Sequence, residues 1–261
     1  MSVRNIAIVA VVSFCASCSQ WDHPVKIPFV ATWQGEPIDC ASTGTALSDL
    51  RFYVSNIQLV DASGTRHDVR FATERAWQND AVALIDLEDG AGACQNGTTE
   101  MSDHVLGVAV VREYRGLRFT IGVPFRLNHA DPLTAKPPLD DPDMHWHWRS
   151  GYKFLRAGIR TDDDGFWMHA GSAGCEGTVG NITGCKFPNR IDVFLPDFEV
   201  GKDVVSIDLA ALAAGVDLMD QTPSDCSSGP SETACTAPFS ALGIDFASGK
   251  QTNSQSVFSV Q

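Results

Sequence analysis

Hydrophobic positions along this chain fall mostly in short runs that alternate with polar residues or are rich in β-branched side chains. Gly, Pro, Asn and Asp close each run. The runs lie at 27–33, 50–61, 81–86, 104–114, 116–124, 152–160, 190–194 and 203–208. Period-two alternation bounded by turn formers predicts strands, and this density of strands predicts an all-β sandwich. Helical patterning is confined to 208–214 and, after a proline, 239–242. In the run 50–61, Phe52, Val54, Ile57 and Leu59 share a face only if a bulge interrupts the strand. No internal repeat or Pro/Ser linker divides the pattern, so residues 19–247 are expected to form one domain, followed by a tail at 248–261.

The first break in this pattern is at the start of the chain. Arg4 precedes an apolar run at 6–14, the arrangement of a signal segment and well short of the roughly 20 residues a membrane-spanning helix needs. Cys15-Ala16-Ser17-Cys18 then resembles a bacterial lipobox, with Cys15 where Leu is usual. Residues 1–18 therefore read as an export signal, with Cys18 as the lipidated residue of a periplasmic or outer-membrane protein.

Export changes how the remaining cysteines are read. Beyond Cys15 and Cys18 there are six, Cys40, Cys94, Cys175, Cys185, Cys226 and Cys235, an even number suited to a disulfide framework in an oxidising compartment. Cys175–Cys185 and Cys226–Cys235 each enclose a short flexible loop, leaving Cys40–Cys94 by elimination, although sequence alone leaves the connectivity open. The expected fold class is thus an all-β, disulfide-stapled β-sandwich with long functional loops and little helix.

Charge narrows the function. The formal net charge is −13, and loss of the signal would remove Arg4 and no acid, which argues against nucleic acid and for cations or basic partners. The chain has no Gly-x-Ser-x-Gly elbow, no phosphate-cradling glycine loop and no His-Glu-x-x-His, so no residues nominate an enzyme. Asp162-Asp163-Asp164-Gly165 reads as a turn tip.

The segment 126–143 is Pro-rich, contains Asn128-His129-Ala130-Asp131-Pro132, and leads into Met144-His145-Trp146-His147-Trp148. Long loops in compact domains are more often functional than idle. Of the seven histidines, four fall between His129 and His169, and imidazole is the commonest transition-metal ligand. Alternation predicts that Trp146 and Trp148 share one strand face, and His145 and His147 the other. His169 precedes the small residues Ala170-Gly171-Ser172-Ala173-Gly174 before Cys175, which permit close approach of an ion or backbone.

Several of these motifs together resemble the MbnP-like family. They are Asp49-Leu-Arg-Phe-Tyr-Val-Ser-Asn, Ala76-Trp77-Gln78, Gly122-Val-Pro-Phe-Arg-Leu-Asn-His129-Ala-Asp-Pro, Met144-x-Trp146-x-Trp148-x-x-Gly151-Tyr-Lys-Phe and His169-x-Gly-Ser-x-Gly-Cys175. The resemblance runs from about Val25 to Phe246. It implies an exported, non-enzymatic copper-binding β-sandwich, partnered by a di-haem cytochrome-c-peroxidase-like (MbnH-like) protein that oxidises a tryptophan to kynurenine beside the metal. The family's four cysteines map to Cys40, Cys94, Cys175 and Cys185, with Cys226–Cys235 as an additional late loop. Its histidines map to His129 and His169, the expected copper ligands, with His145, His147 and Met144 as secondary candidates. Trp77, Trp146 and Trp148 are the candidates for modification, and Asp131 is expected to fix an imidazole tautomer. Ala170 stands where Leu is frequent in the family. Two rival readings are an interaction module binding glycan or peptide through exposed tryptophans, with structural histidines, and a copper-dependent redox enzyme.

Overall fold

The computed structural model describes residues 22–261 apart from 74, 96, 111, 163, 164 and 219–224. Residues 1–18, expected to be an export signal, lie with Cys18 outside the described residues. The principal strands are β1 (Asp22–Trp33), β2 (Ala46–Asp61), β3 (Val82–Asp86), β4 (His104–Val110), β5 (Tyr114–Ile121), β6 (His145–His147) and β7 (Gly151–Arg160). They are followed by β8 (Gly165–Gly171), β9 (Ala173–Thr178), β10 (Asn181–Phe187), β11 (Ile191–Pro196), β12 (Val205–Asp208) and β13 (Phe258–Val260).

Two sheets form the sandwich. One runs β13-β12-β1-β4, and β1 and β12 pair in parallel. The other runs β8-β7-β2-β5-β11, with β3 and β6 paired onto β2 and β7. Between them Phe29, Phe52, Phe119 and Phe258 meet edge to face, with ring centres 5.6–6.1 Å apart. This is the arrangement aromatic quadrupoles favour. The bulge expected in β2 is present, with the register shifting between Ser55 and Gln58 and Asn56 at φ +55°.

Several sequence expectations are corrected. The segment 248–261 is not a separate tail: β13 pairs with β12, and Phe258 completes the central ring cluster. The run 104–114 divides into two strands, because Tyr114 already pairs with Asp61 in β2. The run 116–124 ends at Ile121, where Gly122 at φ +136° turns the chain toward a helical turn at Phe125–Asn128. Strands β8, β9 and β10 are not apparent in the hydrophobic pattern.

All three disulfides, Cys40–Cys94, Cys175–Cys185 and Cys226–Cys235, are formed. The Cα atoms of Cys175 and Cys185 are 3.8 Å apart, and the two residues face each other directly across the β9–β10 ribbon.

Candidate functional site beneath the loop

A sandwich strand normally buries one face. Strand β2 is buried on both, its first ten residues without exception. The second cover is the chain between β5 and β7. Tyr53 Oη donates to the Pro138 carbonyl (3.0 Å) and Tyr152 Oη to that of Leu139 (2.6 Å), while Leu139 and Met144 are buried beneath the loop. Asn128 fastens its start: Oδ1 accepts from the Tyr152 amide (2.8 Å) and Nδ2 donates to the Ser150 carbonyl (3.1 Å). Gly151, at φ +80°, permits this approach, because a Cβ there would lie 2.2 Å from the Asn128 carbonyl oxygen.

Under this cover, strand register lines up ionisable residues. His169 on β8 faces Arg156 on β7, Arg156 faces Arg51 on β2, and Arg51 faces Asp86 on β3. Asp49 joins the row. It accepts from Arg51 Nε and Nη2 at 2.9 and 2.8 Å, and lies 2.6 Å from Arg156 Nη2. From the loop, Asp141 and Asp143 approach Arg51 Nη1 at 4.0 and 3.8 Å. A bulge between Lys153 and Leu155 shifts the register so that Lys153 pairs with Gly171, on the same face as Arg156 and His169.

The strand edge carrying His169 is held by the late disulfide loop. The His169 amide donates to the Cys226 carbonyl (2.7 Å), and its carbonyl accepts from Ser228 Oγ (2.8 Å). Trp146 stands edge-on to the His169 ring, with centres 6.2 Å apart, and a Cβ at Gly171 would meet Trp146 at 2.9 Å. Burial, reinforced by Arg156 and Lys153, pushes the His169 pKa down to about 4, so the ring is neutral with a lone pair available at ordinary pH. Its buried Nε2 has no hydrogen-bond partner among the described residues.

His129 lies at the loop's start, against Phe125 (4.8 Å between ring centres) and 3.5 Å from Cys185 Sγ through Nε2. The same nitrogen is 3.2 Å from Asn128 Nδ2. Burial lowers its pKa, opposed by a backbone hydrogen bond with Trp148. Its Nδ1 is buried. Both expected ligands therefore offer an imidazole held neutral by burial, and His169 adds a ring nitrogen without a partner among the described residues, the condition that a bound metal would satisfy.

The remaining candidates separate. Met144 is fully buried in the core, and His145 packs on Tyr152 with ring centres 5.2 Å apart. His147 is exposed, its Nδ1 accepting from the Arg149 amide. Trp148 follows β6 into a turn and packs on His147 at 5.4 Å, so the expected alternation of two tryptophans against two histidines stops with the strand. Trp77 packs on His104, with Arg75 5.8 Å from its ring centre. Asp131 does not take the expected role: its carboxylate caps the turn Pro132–Thr134 by accepting from the Leu133 amide, and Asn128 is the residue that reaches the His129 ring. Asp49, Arg51, Arg156 and Asp86 are not signalled by any chemical motif, although Asp49 and Arg51 lie inside the first family segment.

A family model described as MbnP matches residues 22–228. A solved structure, MbnP from Methylosinus trichosporium, is similar to this chain with a TM-score of 0.81 and 26% sequence identity, covering 92% of this chain and 98% of that one. No curated protein matches.

Proposed function

The chain belongs to the MbnP family, and on that premise we propose that it is an exported, non-enzymatic copper-binding protein of the periplasm or outer membrane. His129 and His169 would supply imidazole donors. The observation that carries this reading is the buried Nε2 of His169, without a hydrogen-bond partner among the described residues, on one of the two histidines that the family motifs nominate. Copper bound there would supply a Lewis-acidic, redox-capable centre. The chain's own part is to keep both rings neutral by burial, to hold His169 through the Cys226–Ser228 strap, and to shield it with Trp146.

Trp146 is the tryptophan we assign to modification, because it alone among Trp77, Trp146 and Trp148 packs on one of these two imidazoles. A di-haem peroxidase-like partner would use two equivalents of peroxide to cleave the indole C2–C3 bond, adding one oxygen atom to each carbon and releasing two waters. Hydrolysis of the resulting formyl group then releases formate and leaves kynurenine, whose amine is a further nitrogen donor. The orientation of Trp146 against His169 and Gly171 favours this reading over an open stacking platform for glycan. Metal analysis and peptide mass spectrometry of native protein test it together. Copper lost in His129→Ala and His169→Ala, with oxidised Trp146, is the expected result; copper content unchanged in both variants refutes the ligand assignment.

A further inference from the structure

His129 also belongs to a second cluster, with the disulfide of the β9–β10 ribbon. A ring nitrogen of His129 and the sulfurs of Cys175 and Cys185 all lie within 4.8 Å of one another, and Nε2 is 3.5 Å from Cys185 Sγ. Asn128 decides which form of the ring faces the bridge. Its Oδ1 is taken by the Tyr152 amide, so its Nδ2 is the atom 3.2 Å from His129 Nε2, and an amide nitrogen can only donate. Nε2 therefore holds the ring's lone pair. A disulfide sulfur carries no proton, so the contact at 3.5 Å sets two electron-pair donors against each other and gains no hydrogen bond.

Opening the bridge changes this chemistry. Cys175 and Cys185 are direct cross-strand partners, so backbone pairing keeps their sulfurs together once the bond between them is broken. Two thiolates and one imidazole nitrogen then converge. That donor set has the softness suited to monovalent copper and is one short of the four ligands of a structural zinc site. Burial, by lowering the His129 pKa, keeps the ring neutral. This bridge is also the one a reductant can reach, because among the six paired cysteines Cys185 alone is not buried. A hollow of about 310 Å³, lined by Phe125, Asn128, Phe154, Thr183 and Cys185 among others, opens beside it.

We propose that the Cys175–Cys185 bridge masks a second metal position, and that its reduction by a dithiol exposes a site for monovalent copper made of Cys175, Cys185 and His129. The reductant's thiolate attacks Cys185 Sγ and the bridge breaks, Cys175 leaving as a thiolate that takes up a proton. The reductant's second thiolate then displaces Cys185 and closes the reductant as its own disulfide. The protein gains two electrons and two protons, the reductant loses both, and copper binding releases the thiol protons. This position shares His129 with the site proposed above but needs neither His169 nor Trp146, so it goes beyond that reading and the two are alternative uses of one histidine.

The test uses full-length mature protein carrying His169→Ala, which removes the other ligand set. Anaerobic dithiothreitol treatment, desalting and peptide mapping identify the bridge that opens. Competition with a chromophoric copper(I) chelator then reads affinity before and after reduction. Expected is preferential opening of Cys175–Cys185 and copper(I) uptake by the reduced protein alone, with an ultraviolet thiolate-to-copper charge-transfer band. His129→Ala in the same background should weaken that binding by roughly tenfold or more, since even a partner outside the ligand set is worth about that much. If His169→Ala does not fold, the band and its loss in His129→Ala are read in the wild-type background. Equal uptake by oxidised and reduced protein, undiminished affinity in His129→Ala, or earlier opening of Cys40–Cys94 or Cys226–Cys235 overturns the inference. Copper(I) taken up by the reduced protein, with none bound by oxidised wild type, leaves this inference standing while the copper reading fails.

Discussion

Replacing Asp86 by Asn should stabilise the protein at alkaline pH and have progressively less effect as the solution is acidified. Asp86 is 8% exposed, and burial together with the charge of Glu88 raises its pKa from the ordinary 3.8 to about 7, despite nearby Arg51. A carboxyl raised in this way retains its proton in the folded state while the unfolded chain has lost it. The folded state therefore binds more protons between these two values, and stability falls as pH rises through that window. A tenfold difference in acid strength between the folded and unfolded chain corresponds to about 1.4 kcal/mol, so the full penalty approaches about 4 kcal/mol above pH 7. Asn keeps an acceptor for the Glu88 amide, which Asp86 Oδ1 now engages at 3.2 Å, and has no charge to desolvate. Urea unfolding of both proteins should thus show a stability difference that grows by about 2 kcal/mol from pH 5 to pH 7 and levels by about pH 8. Comparison with wild type is essential, because His169, lowered to about 4, gives the opposite slope: its contribution is lost as pH falls below the ordinary histidine value. Glu88→Gln should move the inflection of the Asp86 profile to lower pH by removing the neighbouring charge. A pH-independent difference, or a variant that is less stable at pH 8 than wild type, would refute the reasoning.

Other outcomes follow from the same contacts. Removing Cys40–Cys94, which closes a separation of 54 residues, should cost about 4 kcal/mol and removing Cys175–Cys185, with a separation of 10, about 3, read from denaturation midpoints of the double Ser variants. Gly151→Ala forces a Cβ to within 2.2 Å of the Asn128 carbonyl at φ +80°, and should cost about 3 kcal/mol or more in denaturant unfolding. Tyr53→Phe and Tyr152→Phe each delete one hydrogen bond to the loop carbonyls of Pro138 and Leu139. Each should cost about 1 kcal/mol, with limited proteolysis at 130–143 accelerated in both.

Much of the sandwich is legible because its strands alternate. Val25, Ile27, Phe29 and Ala31 are buried at every second position, as are Val193 and Leu195. Strands β8 to β10 are not, since Gly165, Gly171, Gly174, Gly177 and Gly184 interrupt any hydrophobic period there. Phe258 reads as part of a tail because its strand has only three residues, and its partner in β12 lies some fifty positions earlier. The histidines and Trp146 are visible as motifs. The charged row is not, because Asp49, Arg51 and Arg156 read locally as solvent-facing residues of half-buried strands. Only the long-range register sets them side by side, and only the loop buries them. Asp131 misleads for a related reason: a carboxylate near a histidine in sequence is spent on the adjacent turn.

The loop that seals the outer face has a kinetic consequence. It is fastened by side-chain contacts, those of Asn128, Tyr53, Tyr152 and Arg51, and by the short β6–β7 pairing, rather than by an extended ladder. Such a segment can open as a unit at lower free energy than the sandwich beneath it. Residence of whatever occupies the covered face is then governed by how often this unit detaches as well as by the strength of its bonds. Amide exchange should accordingly be fast at 130–147 and slow along β2, and agents that loosen the loop should release the occupant while the sheets stay folded.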